Sequence, residues 1–202
     1  MVPIRENLVP KDKYAIKCPY TRTPTRVVIH NTANDASAAN EVAYMIRNDS
    51  STSFNAAVDD KEIVIGIPLN RGAFAAGQRD GNAHGIHIEI CYSLSGGTRF
   101  DKAEKNAAEY IAKLLTERKW DISHVKKHQD FDGKYCPHRT LDKGWQRFLS
   151  MVKRYMEPAK APVASKFTPY LIRKNCRDPL NIRKGPGTNY GVQGQIKDTL
   201  RY

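Results

Sequence analysis

Long apolar runs are missing from this 202-residue chain. A bilayer-crossing helix needs about 18 or more consecutive apolar residues, and with none present membrane insertion is not expected. The opening stretch Met1-Val2-Pro3-Ile4-Arg5-Glu6-Asn7-Leu8-Val9-Pro10 lacks the apolar core of a secretory signal. Synthesis in the cytoplasm is therefore the expectation, and a substrate beyond the membrane would be reached through a membrane lesion or an unrecognised export route. Cysteine is scarce: Cys18, Cys91, Cys136 and Cys176 stand without paired spacing, which argues against a disulfide framework. Cys18 and Cys91 read as ordinary buried thiols. Acidic residues are outnumbered, 21 Asp and Glu against 33 Lys and Arg, for a formal charge of +12. The excess is concentrated in residues 158–202, where nine basic side chains face two acidic ones. A basic tail suits an anionic polymer. No nucleic-acid-binding motif accompanies it, so nucleic acid is not the expected partner, and a basic nucleic-acid-binding protein stands third among the readings.

What is present begins with the segment His128-Gln129-Asp130-Phe131-Asp132-Gly133-Lys134-Tyr135-Cys136. An imidazole and a thiolate are the donors zinc prefers, and three protein ligands leave a fourth position open for water. A third donor comes from Arg26-Val27-Val28-Ile29-His30-Asn31-Thr32, where a β-branched run predicts a buried strand with His30 at its end. His30, His128 and Cys136 are thus the candidate metal ligands. Their sequence order fixes no geometry, because the fold must bring residues about a hundred positions apart together. His84 and His138 are competing ligand candidates, with His138, just after Pro137, expected to point away. His124 reads as a helix-end or loop residue.

Punctuation and periodicity give the coarse organisation. Residues 34–37 can cap a helix through Glu41, Val42, Tyr44, Met45 and Ile46. Residues 54–58 and 62–67 predict a hairpin around Asp59-Asp60-Lys61, residues 70–82 a Gly-rich loop, and residues 85–92 the next strand. Residues 101–119 form the clearest helix, with Ala103, Ala107, Tyr110, Ile111, Leu114 and Leu115 on one face. A last helix spans residues 144–156. Strands interleaved with helices make the fold class α/β, a central mixed β-sheet flanked by helices. With 40% hydrophobic residues, there is enough chain for a core of about 150 residues.

The strand-end His30, the stretch Ser53-Phe54-Asn55-Ala56-Ala57-Val58-Asp59-Asp60-Lys61-Glu62-Ile63, the strand Gly85-Ile86-His87-Ile88-Glu89-Ile90-Cys91 and the His128 to Cys136 segment together resemble the zinc-dependent N-acetylmuramoyl-L-alanine amidases. That group includes phage amidase lysozymes and animal peptidoglycan recognition proteins, and the resemblance covers residues 1–157. It implies a peptidoglycan hydrolase of endolysin type, released at lysis to act on the cell wall, with Zn2+ held by His30, His128 and Cys136. It implies a catalytic or oxyanion-stabilising role for Lys134 and a general base in Glu89. Members that only bind wall lack the cysteine ligand, which this chain has. The chain departs from the family where several amidases carry a tyrosine near the zinc; here Phe54 and Asn55 stand, so Glu89 and Lys134 carry more of the chemistry. A non-catalytic wall-binding module of the same fold is the alternative.

The residues invite the same roles on chemical grounds. Zinc can activate water and polarise an amide carbonyl, and a carboxylate must then move the proton to the leaving amine. Glu89 sits in an apolar strand where partial burial would raise its pKa, although alternation with Ile86, Ile88 and Ile90 equally allows His87 and Glu89 a solvent-facing edge. Lys134 either stabilises an oxyanion or is a solvated loop charge. Asp130 is a candidate acceptor for an imidazole or a local turn cap, and Phe74 a candidate wall of an open groove or a core residue. From residue 158 the composition changes. Residues 158–165 are a Pro/Ala linker. Leu180-Asn181-Ile182-Arg183-Lys184-Gly185-Pro186-Gly187-Thr188 resembles the signature of bacterial Src-homology-3-type wall-binding domains. Residues 166–202 are short for that barrel, so an unpaired edge could invite association.

Overall fold

The run Arg26-Val27-Val28-Ile29 is stiff at χ1 and apolar on both faces, which suits a strand covered on both sides. In the computed structural model, which describes residues 1–157, 179–185 and 188–196, it forms strand β2 (Arg26–Asn31), and Val27 to Asn31 are all buried. Around it stand β1 (Ile4–Glu6), β3 (Ala56–Val58), β4 (Ile63–Ile65), β5 (Gly85–Ile90) and β6 (Val125–Lys127). Their order across the sheet is β1-β4-β3-β5-β2-β6. Only β3 and β4 run antiparallel; every other neighbouring pair is parallel. The sheet is mixed, as expected. Its antiparallel step is the hairpin read from the sequence, and Asp59 makes the turn: its Oδ1 accepts from the amides of Lys61 and Glu62 at 2.7 and 2.8 Å. The same carboxylate accepts from the Ala38 amide at 2.9 Å, tying the turn to the start of a helix.

That helix, α2 (Ala38–Arg47), follows α1 (Tyr14–Lys17). Ser37 caps it, its side chain accepting from the Asn40 amide at 3.3 Å. Helix α3 (Arg79–His84) occupies part of what the sequence predicts as loop, because its Gly81 and Asn82 give no apolar periodicity. Helix α4 (Gly97–Arg118) starts one turn earlier than its apolar pattern, on Gly96 at φ 71°, and ends at Lys119 in the left-handed region. All six residues of its predicted apolar face are buried. Short helices α5 (Gln129–Asp132) and α6 (His138–Asp142) precede α7 (Trp145–Met156), which packs along α4. There Glu104, 1% exposed, accepts from Arg147 with both oxygens at 2.7 Å.

The chain divides into two compact units, Met1–Ala159 and Lys160–Tyr202. In the second, β7 (Leu180–Arg183) and β8 (Val192–Ile196) pair antiparallel with an irregularity between Ile182 and Arg183. The linker at residues 158–165 and Cys176 lie outside the described residues. Cys18 and Cys91 are free and buried, and no described helix is long and apolar enough to cross a membrane.

Candidate metal centre

Three elements deliver the three donors. His30 is the penultimate residue of β2; His128 follows β6, its amide bonded to the Ile29 carbonyl at 3.2 Å so that the chain stays joined to β2. After the single turn of α5, Gly133 at φ 81° reverses the chain, and the Gln129 amide donates to the Cys136 carbonyl at 3.0 Å. This closes a loop that places Cys136 beside both imidazoles. All three residues are buried, at 2%, 5% and 5% exposure for His30, His128 and Cys136.

Nδ1 of His30 lies 3.1 Å from Nδ1 of His128 and 4.0 Å from Sγ of Cys136, and all three donor atoms fall within 4.8 Å of one another. A tetrahedral zinc with bonds of about 2.0–2.1 Å to nitrogen and 2.3 Å to sulfur separates two nitrogens by about 3.3 Å and a nitrogen from a sulfur by about 3.6 Å. The donor set fits that ion in type; the His30 separations of 3.1 and 4.0 Å lie near the required ones, and the widest, up to 4.8 Å, must close by about 1 Å for all three to share the ion. Burial pushes the Cys136 thiol up to about 11 and holds His30 well below the usual imidazole range, Lys134 and the other histidines adding to the latter. A metal takes imidazole as a neutral ligand and a thiol that gives up its proton to the cation.

Each candidate ligand ring is held at its far nitrogen. Nε2 of His128 meets Asp132 Oδ2 at 3.0 Å, and Nε2 of His30 meets His87 Nδ1 at 3.0 Å. Of the two roles open to Asp130 the local cap is the one found: it pairs with Lys127 and accepts from the Lys127 amide at 3.0 Å. One turn of helix carries Asp132, four residues on, beneath the imidazole instead. The competing histidines are elsewhere. His84 pairs with Asp80 at 3.0 Å, His138 approaches the Ser93 carbonyl, and His124 stacks on Trp120.

Glu89 is the direct register partner of His30 on β5, so the two side chains share a face of the sheet. It is partly buried; its Oε2 is enclosed without a hydrogen-bond partner among the described residues. Burial, with a smaller contribution from Glu41, raises its carboxyl to about 8, against the pull of Lys134. Glu89 and the exposed Lys134 line one groove of ≈ 790 Å³ together with Asn31, Glu41, Tyr44 and Phe54. The predicted open groove is there, but Phe74 is not in its wall. It packs edge-on against Tyr20 at 6.4 Å. Asn55 is structural: its Oδ1 accepts from the His87 amide at 2.9 Å and its Nδ2 donates to the Pro68 and Arg71 carbonyls.

Sequence reasoning passed over His87, Asp132 and Asn31. Asn31 Oδ1 accepts from the Arg139 and Thr140 amides at 3.0 and 3.2 Å, locking the end of β2 to α6. The His128 to Asp132 spacing was a signal available for one of them.

Residues 20–139 match the family described as N-acetylmuramoyl-L-alanine amidase. The chain is 48% identical over 181 residues to N-acetylmuramoyl-L-alanine amidase XlyB of Bacillus subtilis (strain 168), covering 86% of this chain and 57% of that protein. It is 48% identical over 178 residues to CwlA of the same organism, covering 83% and 65%. This chain thus spans under two thirds of the length of these curated relatives. Among solved structures, PlyL aligns with a TM-score of 0.73 at 48% identity, covering 75% of this chain and 97% of PlyL. The PlyG catalytic domain aligns with a TM-score of 0.74 at 46% identity, covering 80% and 99%. With a family match over more than half its length and relatives of this similarity, the chain belongs to the N-acetylmuramoyl-L-alanine amidase family.

Proposed function

We propose that this protein is a zinc-dependent peptidoglycan hydrolase of endolysin type that cleaves the amide between the lactyl group of N-acetylmuramic acid and L-alanine. The observation that carries the reading is the buried cluster of His30, His128 and Cys136 at the end of the sheet beside an open groove. Zinc, when bound by these residues, supplies Lewis-acid activation of water and of the scissile carbonyl. Glu89 takes the proton of the attacking water at its carboxylate and returns it to the departing alanine nitrogen. Its enclosed Oε2 is a carboxylate oxygen without a competing protein donor. Lys134, on the same groove, donates from Nζ to the oxygen on which negative charge develops. Tyr44 and Glu41 extend the groove along α2, where a polymer chain lies across the site.

Residues 166–202 serve as a wall-attachment segment whose basic charge suits the anionic polymers of a Gram-positive envelope. The test is to digest purified wall and identify products by mass spectrometry. New alanine amino termini paired with intact lactyl carboxylates, lost with chelator and restored by zinc, support the reading. Binding to wall without amine release indicates the non-catalytic alternative.

A further inference from the structure

Strand β5 carries a third enclosed imidazole that none of these steps uses. His87 has no exposed surface, and it lies among Ile86, Ile88 and Ile90, where an aliphatic side chain would be the less costly occupant. Its Nδ1 is 3.0 Å from His30 Nε2, with the rings tilted by 47°. Its Nε2 is buried with no hydrogen-bond partner among the described residues. A buried polar atom left short of a partner calls for a reason.

The geometry supplies one. A neutral imidazole has one N–H and one lone pair. His30 turns Nδ1 toward His128 and Cys136, so that atom must offer its lone pair for an ion to bind. The proton of His30 then sits on Nε2, which leaves His87 Nδ1 to accept it and puts the His87 proton on its own Nε2. We propose that His87 is a positioning residue of the metal centre, fixing the metal-binding tautomer and the ring orientation of His30 by accepting its Nε2–H. An uncharged acceptor also has a chemical advantage. Asp132 already places one carboxylate behind His128, and a second behind His30 would put more negative charge on a cation whose task is to withdraw electrons.

The inference rests on the zinc reading above, and its test separates the two. Zinc affinity is measured by competition with a chromophoric chelator for the native chain, His87→Leu and His87→Asn. Loss of an outer acceptor weakens metal binding by about 10–100-fold, the fall expected for His87→Leu. The amide oxygen of an asparagine falls where Nδ1 sits, so His87→Asn is expected to stay much closer to native. A His87→Leu chain that holds zinc as tightly as native, or a His87→Asn chain as weak as His87→Leu, overturns the proposal. Nitrogen-15 spectra of the zinc-loaded native chain need no substitution: His87 should carry its proton on Nε2, and an Nδ1–H tautomer overturns the proposal as well. A native chain that takes up no zinc overturns the metal reading and this inference with it.

Discussion

His30 and Glu89 sit opposite one another in the parallel ladder of β2 and β5. Parallel strands end on the same side, so register alone brings the candidate ligand and the candidate base to one edge of the sheet and one face of it. A slip of one residue would send Glu89 to the other face and place an isoleucine beside the metal site. The pairing Val28↔His87 obeys the same rule, which is why His87 shares the face of His30.

Replacing Glu89 by glutamine keeps the shape of the side chain and removes its capacity to accept a proton. Proton transfer by a positioned group contributes about 10²–10⁴ in rate, and a fall in turnover of at least about 100-fold is expected of Glu89→Gln. Zinc content should be unchanged, since Glu89 is outside the ligand cluster. Amine release from purified wall and metal analysis on the same sample check both halves; normal turnover removes Glu89 from the mechanism.

The same residue sets a pH dependence of stability. In the fold its carboxyl is raised from 4.5 to about 8, so the folded chain holds this proton more tightly than the unfolded chain. The stabilisation is fully present below pH 4.5 and is lost as pH rises toward 8. Glu89→Gln removes that dependence. In metal-free protein the melting temperature of the variant minus that of native should grow more positive from pH 5 to pH 8. A difference that stays flat across the range would show that Glu89 does not keep its proton in the fold.

The parts of this architecture legible in the sequence were those with a period long enough to read. The buried faces of α2 and α4, the hairpin at Asp59 and the strand ending at His30 all repeat an apolar pattern over several residues. His87 was hidden because alternation along β5 looks the same whether the second face meets water or protein. The second face meets protein at His87, which is fully buried, and the open groove begins at Glu89, which is only partly buried. Asp132 was missed in favour of Asp130 because α5 is only four residues long, too short to show a period. Strand β1 is exposed throughout its three residues, which leaves no apolar signal at all.

Asp132→Asn and Asp130→Asn form a matched pair that tests which carboxylate supports His128. Asp132 lies 3.0 Å from His128 Nε2, and losing its charge should weaken zinc binding by about 10-fold or more. Asp130 is bound to Lys127 instead, so its variant should leave the affinity near native. Equal effects in chelator competition would put the supporting carboxylate elsewhere.

Cys136→Ser exchanges the thiol for a hydroxyl that a bound cation deprotonates far less readily. With two imidazoles left, zinc should be lost on dialysis and wall lysis should vanish. The side chain is small and the exchange conservative, so circular dichroism should remain native. Retained stoichiometric zinc in this variant would mean that Cys136 is not a ligand.

The pairing of α4 with α7 gives a prediction about stability that leaves the chemistry alone. Glu104 is 1% exposed and accepts from Arg147 with both oxygens, while Lys143 stands at 3.6 Å. Truncating the arginine in Arg147→Met leaves a buried carboxylate with one distant cation. Removing one partner of a fully buried pair costs about 3–5 kcal/mol. The Arg147 side chain keeps 37% of its surface in water, so a loss of about 2 kcal/mol is the better expectation, since screening weakens the pair. Adding Glu104→Leu removes the stranded charge and should restore much of that loss, because an apolar pair of similar volume often replaces a buried ion pair at little cost. Urea unfolding of the native chain, both single variants and the double variant reads the coupling directly. Neither residue lines the groove that holds Glu89 and Lys134, so turnover per folded molecule should be unchanged in all three variants. Additive losses in the double variant would show that the two side chains do not stabilise one another.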